Sequence, residues 1–200
     1  MDKRLAEAQA IFVEGQGLLK VGRLLEADEE FEKAASLLQA SGVGGRITTR
    51  TCDPGERKLL GDCLLSRAQC ILDMANGGGV LPDGMPFASQ FEFPEHFDHF
   101  RQQAVAQAQE TAERACVVRP DGESFACLGA ARMLGGKLKA SGPTAWLYAE
   151  ESAQLMQDAG RCLRRALKCG GCPSSTASRL DEVRTWLAER GVRSLFPDYI

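Results

Sequence analysis

Gly15, Gly22, Ala27, Phe31 and Ala34 fall in a fixed order between positions 15 and 34, interleaved with Leu18, Leu19, Leu24 and Leu25. Small residues at helical spacing let two helix backbones approach closely, and a single aromatic ring fills the space left between them. Gly22 stands where the chain must turn. The pattern specifies a helix–turn–helix hairpin from about Lys3 to Lys20 and from about Leu24 to Leu38. One such hairpin cannot bury its own apolar side, so others are required to stack on it.

Further hairpins are predicted downstream. Asp53 followed by Pro54 is a helix start, since the carboxylate can accept from free amides and proline is tolerated in the first turn. Leu60, Leu64, Ala68, Ile71 and Ala75 then follow at helical spacing, up to Asn76 and the glycines 77–79. Residues 76–94 hold Pro82, Pro86, Pro94, Phe87, Phe91 and Phe93. Such a loop either packs as a flap on its own helices, the favoured reading, or receives a partner. A helix from Glu95 to Val118 carries Phe97, Phe100, Ala104, Ala108, Ala112 and Ala115 on one stripe. Another is expected from about Glu123 to Leu138, and one capped by Thr144 that reaches Lys168. In this last helix Ala159, Leu163 and Ala166 repeat the spacing of Ala27, Phe31 and Ala34. A final helix from about Thr176 to Arg190 pairs an apolar stripe of Leu180, Val183 and Leu187 with a polar side of Asp181, Glu182 and Arg184, as an end cap requires.

The small, turn-glycine, alanine, aromatic and second alanine positions of the first hairpin resemble a tetratricopeptide (TPR) repeat. Leu60-Gly61 and Leu128-Gly129 resemble the Leu-Gly pair of TPR first helices, although the later repeats carry insertions. The resemblance implies an all-α, TPR-like right-handed α-solenoid of about seven helices, three helical hairpins and a capping helix, in a single domain over 1–200. Repeat 1 would cover about 3–40, repeat 2 about 53–120 with its 76–94 insertion, repeat 3 about 122–171, and the cap about 174–191.

The resemblance also implies a non-catalytic adaptor or scaffold that binds a peptide segment or amphipathic helix of another protein in a concave groove. If Gly15, Gly61 and Gly129 are equivalent, the groove presents Phe12, Gln16, Leu19 and Lys20, then Lys58, Asp62, Leu65 and Ser66, then Ala126, Ala130, Met133 and Leu134. Phe12, Leu19, Leu65 and Met133 would make the apolar contacts, with Lys58 and Asp62 setting register. The clamp that binds acidic chaperone tails needs cations and amide donors, whereas its positions here hold Phe12, Gln16, Leu59, Glu123 and Cys127. That partner is excluded.

A net charge of −3 argues against a dedicated nucleic-acid binder. No run of eighteen apolar residues is present to span a bilayer, and Asp2 and Glu7 interrupt any signal-peptide core. The expectation is an intracellular, cytoplasmic protein whose eight cysteines are reduced. Cys162, Cys169 and Cys172 form the alternative: a zinc-binding or redox module. Against it, Cys169-Gly-Gly-Cys172 follows a helix C-terminus, where the dipole opposes a thiolate, and Cys162 and Cys169 fall on the stripe of Ala159 and Ala166. His96 and His99 sit three apart with no motif to complete a metal site. No nucleophile elbow, phosphate loop or carboxylate pair is evident, so neither a catalytic residue nor a cofactor is assigned. Arg161, Arg164, Arg165 and Lys168 form a basic stripe, and Glu26, Asp28, Glu29, Glu30 and Glu32 an acidic one, both expected to be solvated faces.

Overall fold

The computed structural model describes residues 3–39, 53–141, 144–170 and 173–192. The loop expected at 41–50, Gly171, Cys172 and the C-terminal 193–200 lie outside them. Among the described residues the chain is all-α, with one isolated bridge between Val80 and Pro86 and no strand. The helices are α1 (Lys3–Lys20), α2 (Leu24–Gln39), α3 (Pro54–Ala75), α4 (Pro94–Val118), α5 (Gly122–Lys139), α6 (Ala149–Lys168) and α7 (Pro173–Glu189). Two 3-10 turns, Phe87–Gln90 and Ala145–Tyr148, precede α4 and α6.

The chain forms two compact units, Met1–Arg119 and Pro120–Ile200, with the boundary where the second repeat was expected to end. Within each, consecutive helices pack side by side, as in a helical solenoid: α1 on α2, α2 on α3 and α3 on α4, then α5 on α6 and α6 on α7.

In the first unit, Gly22 turns the chain with a φ of +80°. Gly15 sits so close to Phe31 that an added Cβ would lie 2.8 Å from the ring. Ala27, Phe31 and Ala34 are fully buried, and Phe12 packs at a tilt against Phe31 with ring centroids 5.4 Å apart. Asp53 accepts from the Gly55 amide at 3.1 Å and Pro54 opens α3, as the Asp-Pro pair required. Leu60, Leu64, Ala68, Ile71 and Ala75 are all buried.

The 76–94 insertion packs as a flap on its own helices. The Val80 amide donates to the Gly22 carbonyl at 2.8 Å, which fastens the flap to the α1–α2 turn. Phe87 is buried, and its ring joins those of Phe91, Phe97 and Phe100 in one cluster with centroid spacings of 5.2–6.1 Å. Arg101 lies over Phe97 and donates to the Ala75 carbonyl, which ties the start of α4 to the end of α3.

In the second unit, Asp121 accepts from the Ser124 amide at 2.9 Å and caps α5. Gly129 takes the place of Gly15, since a Cβ there would lie 2.7 Å from Leu163 Cγ. Ala159, Leu163 and Ala166 are fully buried, so the repeated small–large–small pattern builds the same kind of contact. Leu180, Val183 and Leu187 bury α7 against α6, while Asp181 and Glu182 stay exposed. One expectation fails: Thr144 makes no side-chain cap, and α6 begins only at Ala149, after the 3-10 turn. A threonine hydroxyl caps weakly, and the apolar Trp146-Leu147-Tyr148 run offers no helix-stabilising first-turn acid.

Candidate functional site

The residues assigned to a groove separate into two sets. Phe12, Gln16, Leu19, Lys20, Lys58, Asp62, Leu65 and Ser66 belong to the first unit, and Ala126, Ala130, Met133 and Leu134 to the second.

On α1, Phe12 is 7% exposed and is a core side chain, not a surface contact. It precedes Gly15 by three residues and follows Ala8 by four, so it shares the face that Gly15 presses onto α2. Leu19, four residues beyond Gly15, is half-buried against the same core. Gln16 and Lys20 are exposed. The apolar contacts expected from α1 are therefore largely spent on its own hairpin.

Helix α3 retains an open side. Lys58 is exposed, and Asp62, Leu65, Ser66, Gln69 and Asp73 are half-exposed, between neighbours that are buried. At 100° per residue all six fall within one face, and from Lys58 to Asp73 they cover about 22 Å of helix. Three further contacts hold this face in shape. Arg119 at the end of α4 donates to Asp62, and its stem covers Gly61, where an added Cβ would lie 2.7 Å away. Arg4 of α1 reaches Glu56 of α3 at 3.6 Å. The Gln69 amide donates to Asp73 at 2.9 Å. The face is thus amphipathic: Leu65 among a cation, two carboxylates, a hydroxyl and an amide. Sequence reasoning missed Gln69 and Asp73, although extending the stripe beyond Ser66 by one and two turns reaches both. The Arg119–Asp62 pair had no local signal, since it joins residues far apart in the chain.

Behind this face, on the side of α3 turned to α2, Arg67 is buried and holds two carboxylates. Its Nε lies 3.1 Å from Asp28 Oδ1 and its Nη2 3.0 Å from Glu32 Oε2. Burial raises the Asp28 pKa to about 6 against the opposing pull of Arg67. The expected acidic stripe on α2 is thus partly structural, because Asp28 and Glu32 join the first hairpin to α3.

In the second unit Ala126 and Met133 are half-buried, and Met133 packs on the cluster of Met156, Leu163, Leu180 and Val183. It serves the joint between α5 and its neighbours, where Lys137 also bridges to Glu182 of α7.

The cysteines divide by environment. Cys63 and Cys70 are fully buried, and burial pushes both thiols up to about 12, so they pack as small apolar side chains. Cys162 is buried on the α6 stripe, with Arg132 Nη1 3.4 Å from its sulfur. Cys169 does not share that stripe: it is exposed at the helix end, because α6 stops at Lys168 and Gly170 turns the chain away with a φ of +76°. Cys172 lies outside the described residues. His96 and His99 are exposed, and His99 pairs with Gln103. No three His, Cys, Asp or Glu side chains converge as a metal site among the described residues.

No protein-family model matches this chain, and no curated protein is significantly similar to it in sequence.

Proposed function

We propose that the chain is a TPR-like protein-interaction adaptor that receives a peptide segment or amphipathic helix of a partner protein along the open face of α3. The observation that carries this reading is the stripe from Lys58 to Asp73, which stays partly exposed on a helix that is otherwise mostly buried beyond its first turn. An amphipathic helix or extended segment placed there would bury Leu65 and meet donors and acceptors at regular spacing. Lys58, Asp62, Ser66, Gln69 and Asp73 would set its register. Phe12 leaves the contact set, because a polar residue at that position would damage the α1–α2 core before it affected any binding.

The test places a photo-crosslinking amino acid in turn at positions 65 and 69, and as a control at the exposed position 102 on α4, followed by irradiation in the native cell. Discrete protein adducts from 65 and 69 that are missing from 102, and that vanish when Lys58→Glu is added, support the proposal. The same adducts from all three positions, or none from α3, would refute it.

A further inference from the structure

The most exposed apolar surface in the described chain lies elsewhere, in the second unit. Trp146, Leu147 and Tyr148 follow one another on the 3-10 turn before α6 and are 75%, 57% and 42% exposed. The turn is held in place: Lys139 lies over the Tyr148 ring at 5.2 Å and bridges to Glu151. Trp146 is the most open of the three, while Lys139 shields part of Tyr148.

Helix α6 follows directly on this turn and has one exposed side. Glu150, Gln154, Arg161, Arg165 and Lys168 are exposed and lie within one narrow sector of the helix. Of the neighbouring acids, Glu151 pairs with Lys139 and Asp158 with Arg161, while Glu150 stands exposed beside the turn. Arg165 is braced over Phe125 at 4.2 Å, which holds its charge at the surface. Across the second unit basic residues outnumber acidic ones eleven to nine, against thirteen to eighteen in the first.

We infer that this face of α6, led by the Trp146-Leu147-Tyr148 turn, docks peripherally on an anionic lipid bilayer. Tryptophan and tyrosine favour the water–hydrocarbon boundary, where the ring is covered and the polar tip stays wet. Stable attachment to a membrane surface needs two signals, an apolar anchor and a basic patch; here the turn offers the first, and Arg165 and Lys168 of the helix that follows it offer the second. The helix would lie along the surface, with the turn in the headgroup layer and Arg165 and Lys168 over anionic lipid. A second copy of the chain fits this patch less well. Its three apolar side chains expose on the order of 350 Å², under half of the roughly 800 Å² per partner that a stable interface buries, and the rest would have to come from the charged side of α6, where two copies would set cations against each other. A bilayer sets no such requirement of matching shape.

The test is co-sedimentation of the full chain with vesicles of phosphatidylcholine, with and without phosphatidylserine. Binding is expected only with phosphatidylserine, and it should weaken as salt is added. Arg165→Glu with Lys168→Glu should lower the partition coefficient about tenfold or more. Trp146→Ser with Leu147→Ser should do the same at unchanged helix content. In a Trp186→Phe background, Trp146 emission should shift to the blue on binding. The proposal is overturned by equal binding to both vesicle types or to neither, or by variants that bind as the parent does. Self-association in sedimentation velocity that the same substitutions abolish would assign the patch to a second copy, and polyglutamate binding as tight as vesicle binding would make the stripe a general cation surface. Either result would also overturn the proposal.

Discussion

Gly15 and Gly17 stand two residues apart on α1, and the same substitution should act on them in opposite directions. A methyl group added at Gly17 meets nothing within 4 Å, whereas at Gly15 it would lie 2.8, 3.0 and 3.2 Å from three atoms of the Phe31 ring. Phe31 is fully buried and held by Phe12, so its ring cannot swing aside as an exposed side chain would. Replacing glycine by alanine inside a helix contributes about 1 kcal/mol through reduced backbone entropy. Overpacking a close-packed site costs roughly 1–3 kcal/mol. Gly17→Ala should therefore stabilise the first unit by nearly the full helix-propensity gain. Gly15→Ala should destabilise it by up to about 2 kcal/mol once that gain is offset. Urea unfolding followed by far-UV circular dichroism measures both. A double-mutant cycle with Phe31→Leu, which shortens the obstructing side chain, should recover much of the Gly15→Ala loss. If both alanine variants were equally stabilised, or if Phe31→Leu gave no recovery, the close approach of α1 and α2 would be refuted.

Asp28 makes stability depend on pH in a stated direction. Its folded pKa, raised from 3.8 to about 6, means that the folded state favours the protonated carboxyl. Its contribution is complete below pH 4 and is lost as pH rises through 6. Asp28→Asn should remove that part of the pH profile, and urea midpoints measured from pH 4 to 7 that keep the parental slope would contradict it. Thiol labelling of the native protein at pH 8 should modify Cys169 and spare Cys63 and Cys70, whose thiols are held near 12 and out of contact with solvent. Mass spectrometry locates the label, and prompt modification of Cys63 or Cys70 would show that α3 opens readily.

The helices were legible in the sequence because their determinants are local. Proline at a first turn, an aspartate cap, a glycine at a turn and apolar residues three and four apart each act over one or two turns of chain. Hence Asp53-Pro54, Gly22 and the Leu60 to Ala75 stripe marked α3 and the first hairpin closely. The two small–large–small triplets, around Phe31 and Leu163, also foretold which helices would touch. The recognition face was only partly legible. Lys58, Asp62, Leu65 and Ser66 do lie together on α3, but Phe12 turned inward, because the aromatic next to a close-approach glycine is needed to fill that approach. Trp146, Leu147 and Tyr148 were expected inside the helix capped by Thr144 and instead form an exposed 3-10 turn ahead of α6.

What the sequence by itself determined is the number and type of the main helices, most of their limits and the small residues at which they meet. Only the tertiary structure decided which side of each helix remains open and that Arg67 binds Asp28 and Glu32 across a helix joint. It also decided that Arg119 closes over Gly61, and that the chain divides near Arg119. These depend on residues brought together from distant parts of the chain, whose mutual burial and charge pairing no short stretch of sequence contains.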